Sequence, residues 1–198
     1  VRVKVDDFEF LLKDEKGIKI PFKYLSKNEI EFVAKEVPSI GYKTFFLEFN
    51  GVAQLDLISN TNNPQNIIEN EFFKITTDPT KGGAISSIYD KQAKREIIST
   101  AKGNYGNEIA SLKEELTRKN VIYPAWEMWT TGEKKFSTEK SAKIISSNIN
   151  EIILEGELPN MQKFRQTITL HKGIKRIDFK TELIDYKGYN ELFTINFL

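Results

Sequence analysis

The densest group of chemically capable side chains in this 198-residue chain is Tyr123-Pro124-Ala125-Trp126-Glu127-Met128-Trp129, which holds both tryptophans. Pro124 fixes its own φ and biases Tyr123 toward an extended backbone, so the segment reads as a loop rather than a helix. Flat rings beside a carboxylate suit a sugar. The C–H face of a pyranose packs on an indole while the acid accepts hydroxyl hydrogen bonds. The same residues also describe a loop that tucks two large aromatics over the edge of a core, because Trp is highly buried on average. A second group is Arg176 and Asp178, two apart and therefore on one face of a strand. Such a pair either faces a site or bridges strands at a sheet surface, and the second arrangement is the commoner. His171, the only histidine, stands beside a hairpin turn and reads as solvated; acid–base work would need a carboxylate partner. Asp78, followed by Pro79, reads as turn chemistry, and Lys134-Lys135 as solvated surface. No phosphate-binding loop, dinucleotide fingerprint, serine elbow or metal-spaced histidine pair is present.

The elements that must position these residues read almost entirely as strands. Ile18 to Tyr24 alternates with period two, Glu29 to Val33 follows, and Tyr42 to Phe49 is the strongest strand of the first part. Asn60-Thr61-Asn62-Asn63-Pro64-Gln65-Asn66 has no apolar period and marks a linker, which divides the chain into 1–59 and 67–198. Beyond it, Phe72 to Thr76 and Ala84 to Asp90 flank Asp78-Pro79-Thr80-Lys81-Gly82-Gly83. Proline sets one φ there and two glycines supply positive φ. Gly106 to Leu112 reads as a strand, and Lys113 to Asn120 as a polar excursion or helical turn. The last third alternates over 142–147, 151–158, 164–171, 174–183 and 191–198. The chain opens on Val1 and closes on an apolar strand ending Phe197-Leu198, so both ends read as cut from a longer polypeptide with an open sheet edge.

Composition narrows the function. Lys and Arg number 29 against 28 Asp and Glu, which lacks the basic excess of a nucleic-acid binder. No apolar run approaches membrane-spanning length. With no cysteine and one histidine, the chain is a poor source of a catalytic zinc site, which ordinarily draws on several imidazoles or thiolates.

Three segments together resemble the C-terminal β-region of glycoside hydrolase family 38, the retaining α-mannosidases. The first is Glu69-Asn70-Glu71-Phe72, the turn Asp78 to Gly83, Ile85-Ser86-Ser87-Ile88-Tyr89-Asp90-Lys91 and the pair Arg95-Glu96. The second is Gly106-Asn107-Glu108-Ile109, then Glu114-Glu115, then Tyr123-Pro124-Ala125-Trp126-Glu127, where Pro124 and Glu127 replace two aspartates of the family pattern. The third runs from Gln166 to Phe179. Val37-Pro38-Ser39-Ile40-Gly41-Tyr42-Lys43-Thr44 is similar to the close of a smaller preceding sandwich.

The resemblance implies an all-β fold, a small β-sandwich segment followed by an incomplete galactose-mutarotase-like antiparallel supersandwich. It implies a non-catalytic part of a cytoplasmic α-mannosidase, with Asn107, Tyr123, Trp126, Glu127 and Trp129 as substrate-proximal candidates. No catalytic residue and no cofactor are expected in this segment; zinc belongs to an N-terminal catalytic domain of the same polypeptide. That domain and an α-mannoside glycan are the expected partners, with neither nucleic acid nor membrane among them. The alternatives are a stand-alone carbohydrate-binding module and, less favoured because it wants a His–Glu pair, an aldose-epimerase-like enzyme.

Overall fold

A computed structural model describes residues 1–6, 10–49, 65–98, 103–115 and 128–197. The chain divides into two compact units, Val1–Ile58 and Ser59–Leu198. In the first unit lie β1 (Arg2–Lys4), β2 (Phe10–Asp14), β3 (Phe22–Ser26), β4 (Glu29–Phe32) and β5 (Phe45–Phe49). They form an antiparallel sheet in the order β1-β4-β3 and a β2-β5 pair. Val5, Phe10, Leu12, Phe22, Ile30 and Phe32 make its core, with the Phe10 and Phe22 rings stacked at 4.9 Å. The expected strand from Ile18 starts only at Phe22. Pro21 has no N–H to donate, and the Asp14 carboxylate takes the N–H groups of Lys16 and Ile18 into a turn.

The second unit carries β6 (Ile67–Glu69), β7 (Phe73–Asp78), β8 (Ala84–Asp90), β9 (Arg95–Glu96), β10 (Gly106–Glu114) and β11 (Thr130–Phe136). It continues with β12 (Lys143–Ser147), β13 (Glu151–Glu157), β14 (Lys163–Leu170), β15 (Ile177–Ile184) and β16 (Glu191–Phe197). One sheet runs β11-β10-β8-β7-β6, with β16 added to β10 and β9 to β8; the other runs β12-β13-β14-β15. Every pairing is antiparallel. The period-two alternation explains why the sheets stack. Along β14, Phe164, Gln166, Ile168 and Leu170 are buried while Lys163 and Arg165 point outward. The fold is therefore the all-β sandwich that the strand pattern implies.

The β7–β8 connection is built as its residues dictate. Pro79–Lys81 forms one 3-10 turn, and the Asp78 carboxylate caps it by accepting the Thr80 N–H at 2.9 Å. Gly82 and Gly83 both take positive φ. A β-carbon on Gly82 would collide with the Ser137 carbonyl, and one on Gly83 would press into Leu154. Glycine is thus required twice, for conformation and for close approach to the facing segment. Of the excursion expected after Leu112, Lys113 and Glu114 instead continue β10, and residues 116–120 lie outside the described residues.

Candidate functional site

The candidate site is organised by β10, which changes partners along its length. At Gly106 it pairs with Ile85 of β8, and from Ala110 onward that same edge pairs with β11, while β16 runs along the other edge. Asn107 sits at this changeover as a β-bulge, its φ of 57° placing one extra residue between the pairs Gly106–Phe197 and Glu108–Asn196. Asparagine tolerates the left-handed region better than most side chains. The Gln166 side-chain N–H, buried on the opposite sheet, donates to the Asn107 carbonyl at 2.8 Å. The Asn107 side chain is 1% exposed, so it belongs to the sandwich interior. Neither of its amide atoms, nor the Gln166 Oε1, finds a hydrogen-bond partner among the described residues.

This amide pair splits the core. On one side Ile68, Phe73, Ile75, Ile85, Ile88, Ile98, Ile152, Leu154, Ile168 and Leu170 form a closed cluster. On the other side only Ile109, Leu158 and Phe164 are fully buried, with Leu183 and Phe193 packed partly against them. Gln166 lies between Phe164 and Ile168 on one strand face, so the polar layer follows directly from the order of residues in β14.

Beyond the smaller cluster the interior face of β10 turns polar. Ser111 and Lys113, two apart, line a cleft of about 90 Å³ with Glu133 and Lys135 of β11 and Glu191 of β16. Glu191 accepts from Ser111 Oγ at 3.2 Å and from Asn160 Nδ2 at 2.9 Å. Lys135 lies 3.1 Å from Glu133, and Lys113 lies 3.8 Å from it. The hydrogen bond from Lys135, then the charges of Lys135 and Lys113, hold the Glu133 carboxyl below its usual value. Nearby, burial and then the negative charges of Glu191 and Glu114 push the Tyr186 phenol up. A ligand pocket ordinarily offers roughly 300 Å³ or more. This cleft is therefore too small to enclose a ligand of ordinary size.

The β10–β11 connection leaves from this same end. Glu115 N–H donates to the Trp129 carbonyl at 2.8 Å, so the connection is clasped where it departs and returns. Trp129 is half-buried beside that clasp. Tyr123, Trp126 and Glu127 lie outside the described residues. Asn107 and the cleft share one strand, six residues or fewer apart, although Asn107 is enclosed. Ser111, Lys113, Glu133, Lys135 and Glu191 were not legible as a group. The only signal was the same-face spacing of Ser111 and Lys113, which means little until the register with β11 and β16 is known.

The other charged groups sit at the far hairpin. His171 Nε2 lies 2.8 Å from Asp178 Oδ2 and is partly buried, not solvated as its position in sequence implies. Arg176 also binds Asp178, so the two residues are partners on one strand face. Burial works against the Asp178 carboxylate, but the Arg176 and His171 hydrogen bonds and charges outweigh it and hold the pKa below its ordinary value. Asn70 Nδ2 donates to the His171 carbonyl at 3.0 Å, tying this hairpin to the β6–β7 turn. Lys175 pairs with Asp90 at 2.9 Å in the same way. Among the described residues no three His, Cys, Asp or Glu side chains are grouped as a metal site requires.

The fold is that of an antiparallel all-β sandwich domain. The sequence profile described as "Glycosyl hydrolases family 38 C-terminal domain" matches residues 68–196. The chain belongs to glycosyl hydrolase family 38 and carries the C-terminal domain of that family. A comparison with curated proteins finds no match.

Proposed function

We propose that this chain is the non-catalytic C-terminal β-region of a retaining, zinc-dependent α-mannosidase acting on terminal α-mannosides in the cytoplasm. It buttresses an N-terminal catalytic barrel of the same polypeptide and lends the β10–β11 connection to the sugar cleft. The observation that carries this reading is the family match, which spans the sandwich from Ile68 to Asn196 and so includes both β10 and the strands that hold it. Retention calls for a nucleophilic carboxylate and an acid–base carboxyl about 5–5.5 Å apart. In this reading both belong to the barrel, where zinc would hold the sugar hydroxyls. The residues of this chain then bind and orient. Trp126 and Trp129 offer ring faces, Glu127 an acceptor, and the polar cleft a place for one hydroxyl.

The test is hydrolysis of an aryl α-mannoside by the purified chain with zinc, beside the full polypeptide that includes the segment upstream of Val1. The full polypeptide should release mannose with retained configuration, and the isolated chain should not. Turnover by the isolated chain overturns the reading. Mannobiose binding by the isolated chain that disappears in Trp126→Ala, with no hydrolysis by the full polypeptide, would assign it instead to a stand-alone binding module.

A further inference from the structure

The two sheets of the larger unit are tied at one end by side chains. Asn70 Nδ2 donates to the His171 carbonyl at 3.0 Å, and the Gly173 N–H donates to Glu71 Oε1 at 2.5 Å. Lys175 Nζ lies 2.9 Å from Asp90 Oδ2 and 5.8 Å from the centroid of the Phe73 ring. Each tie crosses from the β6–β7 turn or the end of β8 to the tip of the β14–β15 hairpin, residues 171–176. Three stretches singled out in the sequence therefore meet here: Glu69-Asn70-Glu71, Tyr89-Asp90-Lys91 and His171 to Asp178. Both partners of every tie belong to this chain, so the contact is closed within the domain.

The two sides of this contact are held unequally. On the receiving side Asn70 Oδ1 accepts the Phe72 and Phe73 N–H groups at 2.9 and 2.8 Å. Asp90 Oδ1 accepts those of Gln92 and Ala93, both at 2.9 Å. These local caps fix both side chains, which are buried. The tip has little of its own. Its Ile174 N–H reaches the His171 carbonyl at 3.4 Å, longer than an ordinary bond, and its Arg176 N–H reaches the Ile174 carbonyl at 2.9 Å. Behind the tip, β14 pairs with β13 on one edge and β15 on the other, and Ile168 and Leu170 are buried. The strands therefore hold independently of the ties, whereas the tip relies on them.

Two of the three ties end on carboxylates. The Ala93 N–H and then Lys175 hold the Asp90 carboxyl below its ordinary value. Around it stand Lys91, bound to Glu69 at 2.6 Å, and Lys74, whose charge also acts on Glu69. On the hairpin side Arg176 and His171 share Asp178, and Lys172 is the remaining charge of the tip. A carboxyl that is bound as the anion when the tip is closed favours closure above its free value, about pH 4, and loses that preference as pH falls. We propose that the β14–β15 tip is an acid-released strap, closed across the sheets through Asn70, Glu71 and Asp90 and set free in acid while the strands behind it stay paired. Release takes Lys175 off the Phe73 ring and the Asn70 amide off His171. Local opening of this kind needs less free energy than unfolding the whole sandwich.

Amide NMR of the full chain under increasing acidity tests this, with Gly173 as reporter because its N–H ends on a carboxylate 102 residues away. The Gly173 backbone and Asn70 side-chain amide signals should leave their native positions below about pH 4, while the Ile152 and Ile168 amides keep theirs. Lys175→Met removes one tie, alters a side chain that is 41% exposed, and leaves the Asp90 cap intact. At about pH 7 it should speed Gly173 exchange about fivefold, the upper end for an exposed ion pair, with Ile168 unchanged. Glu71→Gln keeps an acceptor without the charge and should flatten the acid response of Gly173. Tip and core signals lost at one pH overturn the inference, as do tip signals that stay native down to about pH 3. Gly173 exchange unchanged in Lys175→Met, or an acid response unchanged in Glu71→Gln, overturns it equally.

Discussion

The two halves of the larger sandwich, on either side of the Asn107–Gln166 pair, are held in different ways. The half beside the β7–β8 turn encloses ten fully buried apolar side chains, so it draws its stability from area removed from water. The half beside the Ser111–Glu191 cleft encloses three, so it depends more on polar ties. Those ties are Gln166 to the Asn107 carbonyl, Asn160 and Ser111 to Glu191, and Tyr186 edge-on to Phe193 at 5.2 Å. The closed half is a scaffold that tolerates no gap. The open half carries the polar cleft, whereas the exposed Phe179 and Phe197 stand opposite Ile168 and Gly106 on the closed side.

Truncation of one core residue in each half is the most severe way to break this contrast. Ile168→Ala should cost about 2–5 kcal/mol in chemical denaturation, because its site cannot collapse. Phe193→Ala removes a larger ring yet should cost only about 1–2 kcal/mol, since that ring is partly exposed and its surroundings are open. Equal losses would erase the distinction between the halves.

Gln166→Leu sharpens the boundary between them. It strands the Asn107 carbonyl without its donor, at a cost of about 1–3 kcal/mol, while also removing the unpaired Oε1. The effect should therefore fall toward the lower end. Amide exchange should rise first in β10 near the bulge, and unchanged protection there would show that Gln166 does not hold it.

The smallest effect concerns acid. Glu31, Glu69, Asp90, Glu133, Glu157 and Asp178 all have carboxyls held below their ordinary values. For such groups the folded chain binds protons more weakly than the unfolded chain. Their stabilisation is present above the unfolded pKa, near pH 4, and disappears as pH falls through the lowered folded values. Asp178→Asn should flatten this acid dependence slightly between about pH 5 and pH 2. An unchanged acid profile would mean that the His171 and Arg176 contacts add nothing in solution, as many exposed ion pairs do not.

Much of the fold was legible because its determinants are local. Ala84 to Asp90 forms the strand that its alternation implies, and Asp78 to Gly83 forms a turn that needs its proline and both glycines. The hairpin of β7 with β8 was legible too, but pairing between strands distant in sequence was not. Nothing local says that β10 lies between β16 on one edge and β8 then β11 on the other, so the Ser111–Glu191 cleft could not be drawn in advance. His171 and Asp178 are seven residues apart along the chain, and only the hairpin brings them to 2.8 Å. Asn107 was singled out by its motif, but that it is an enclosed bulge depends on Gln166, 59 residues later.

The clasp between Glu115 and Trp129 has one more consequence. Since the strands are joined on either side of it, the free energy of closing the intervening stretch grows only logarithmically with its length, by about 0.6 kcal/mol per doubling. Insertions, deletions and changes of residue there leave the ladder of β10 and β11 intact. The length and sequence of that stretch can therefore vary while the architecture beneath it stays the same.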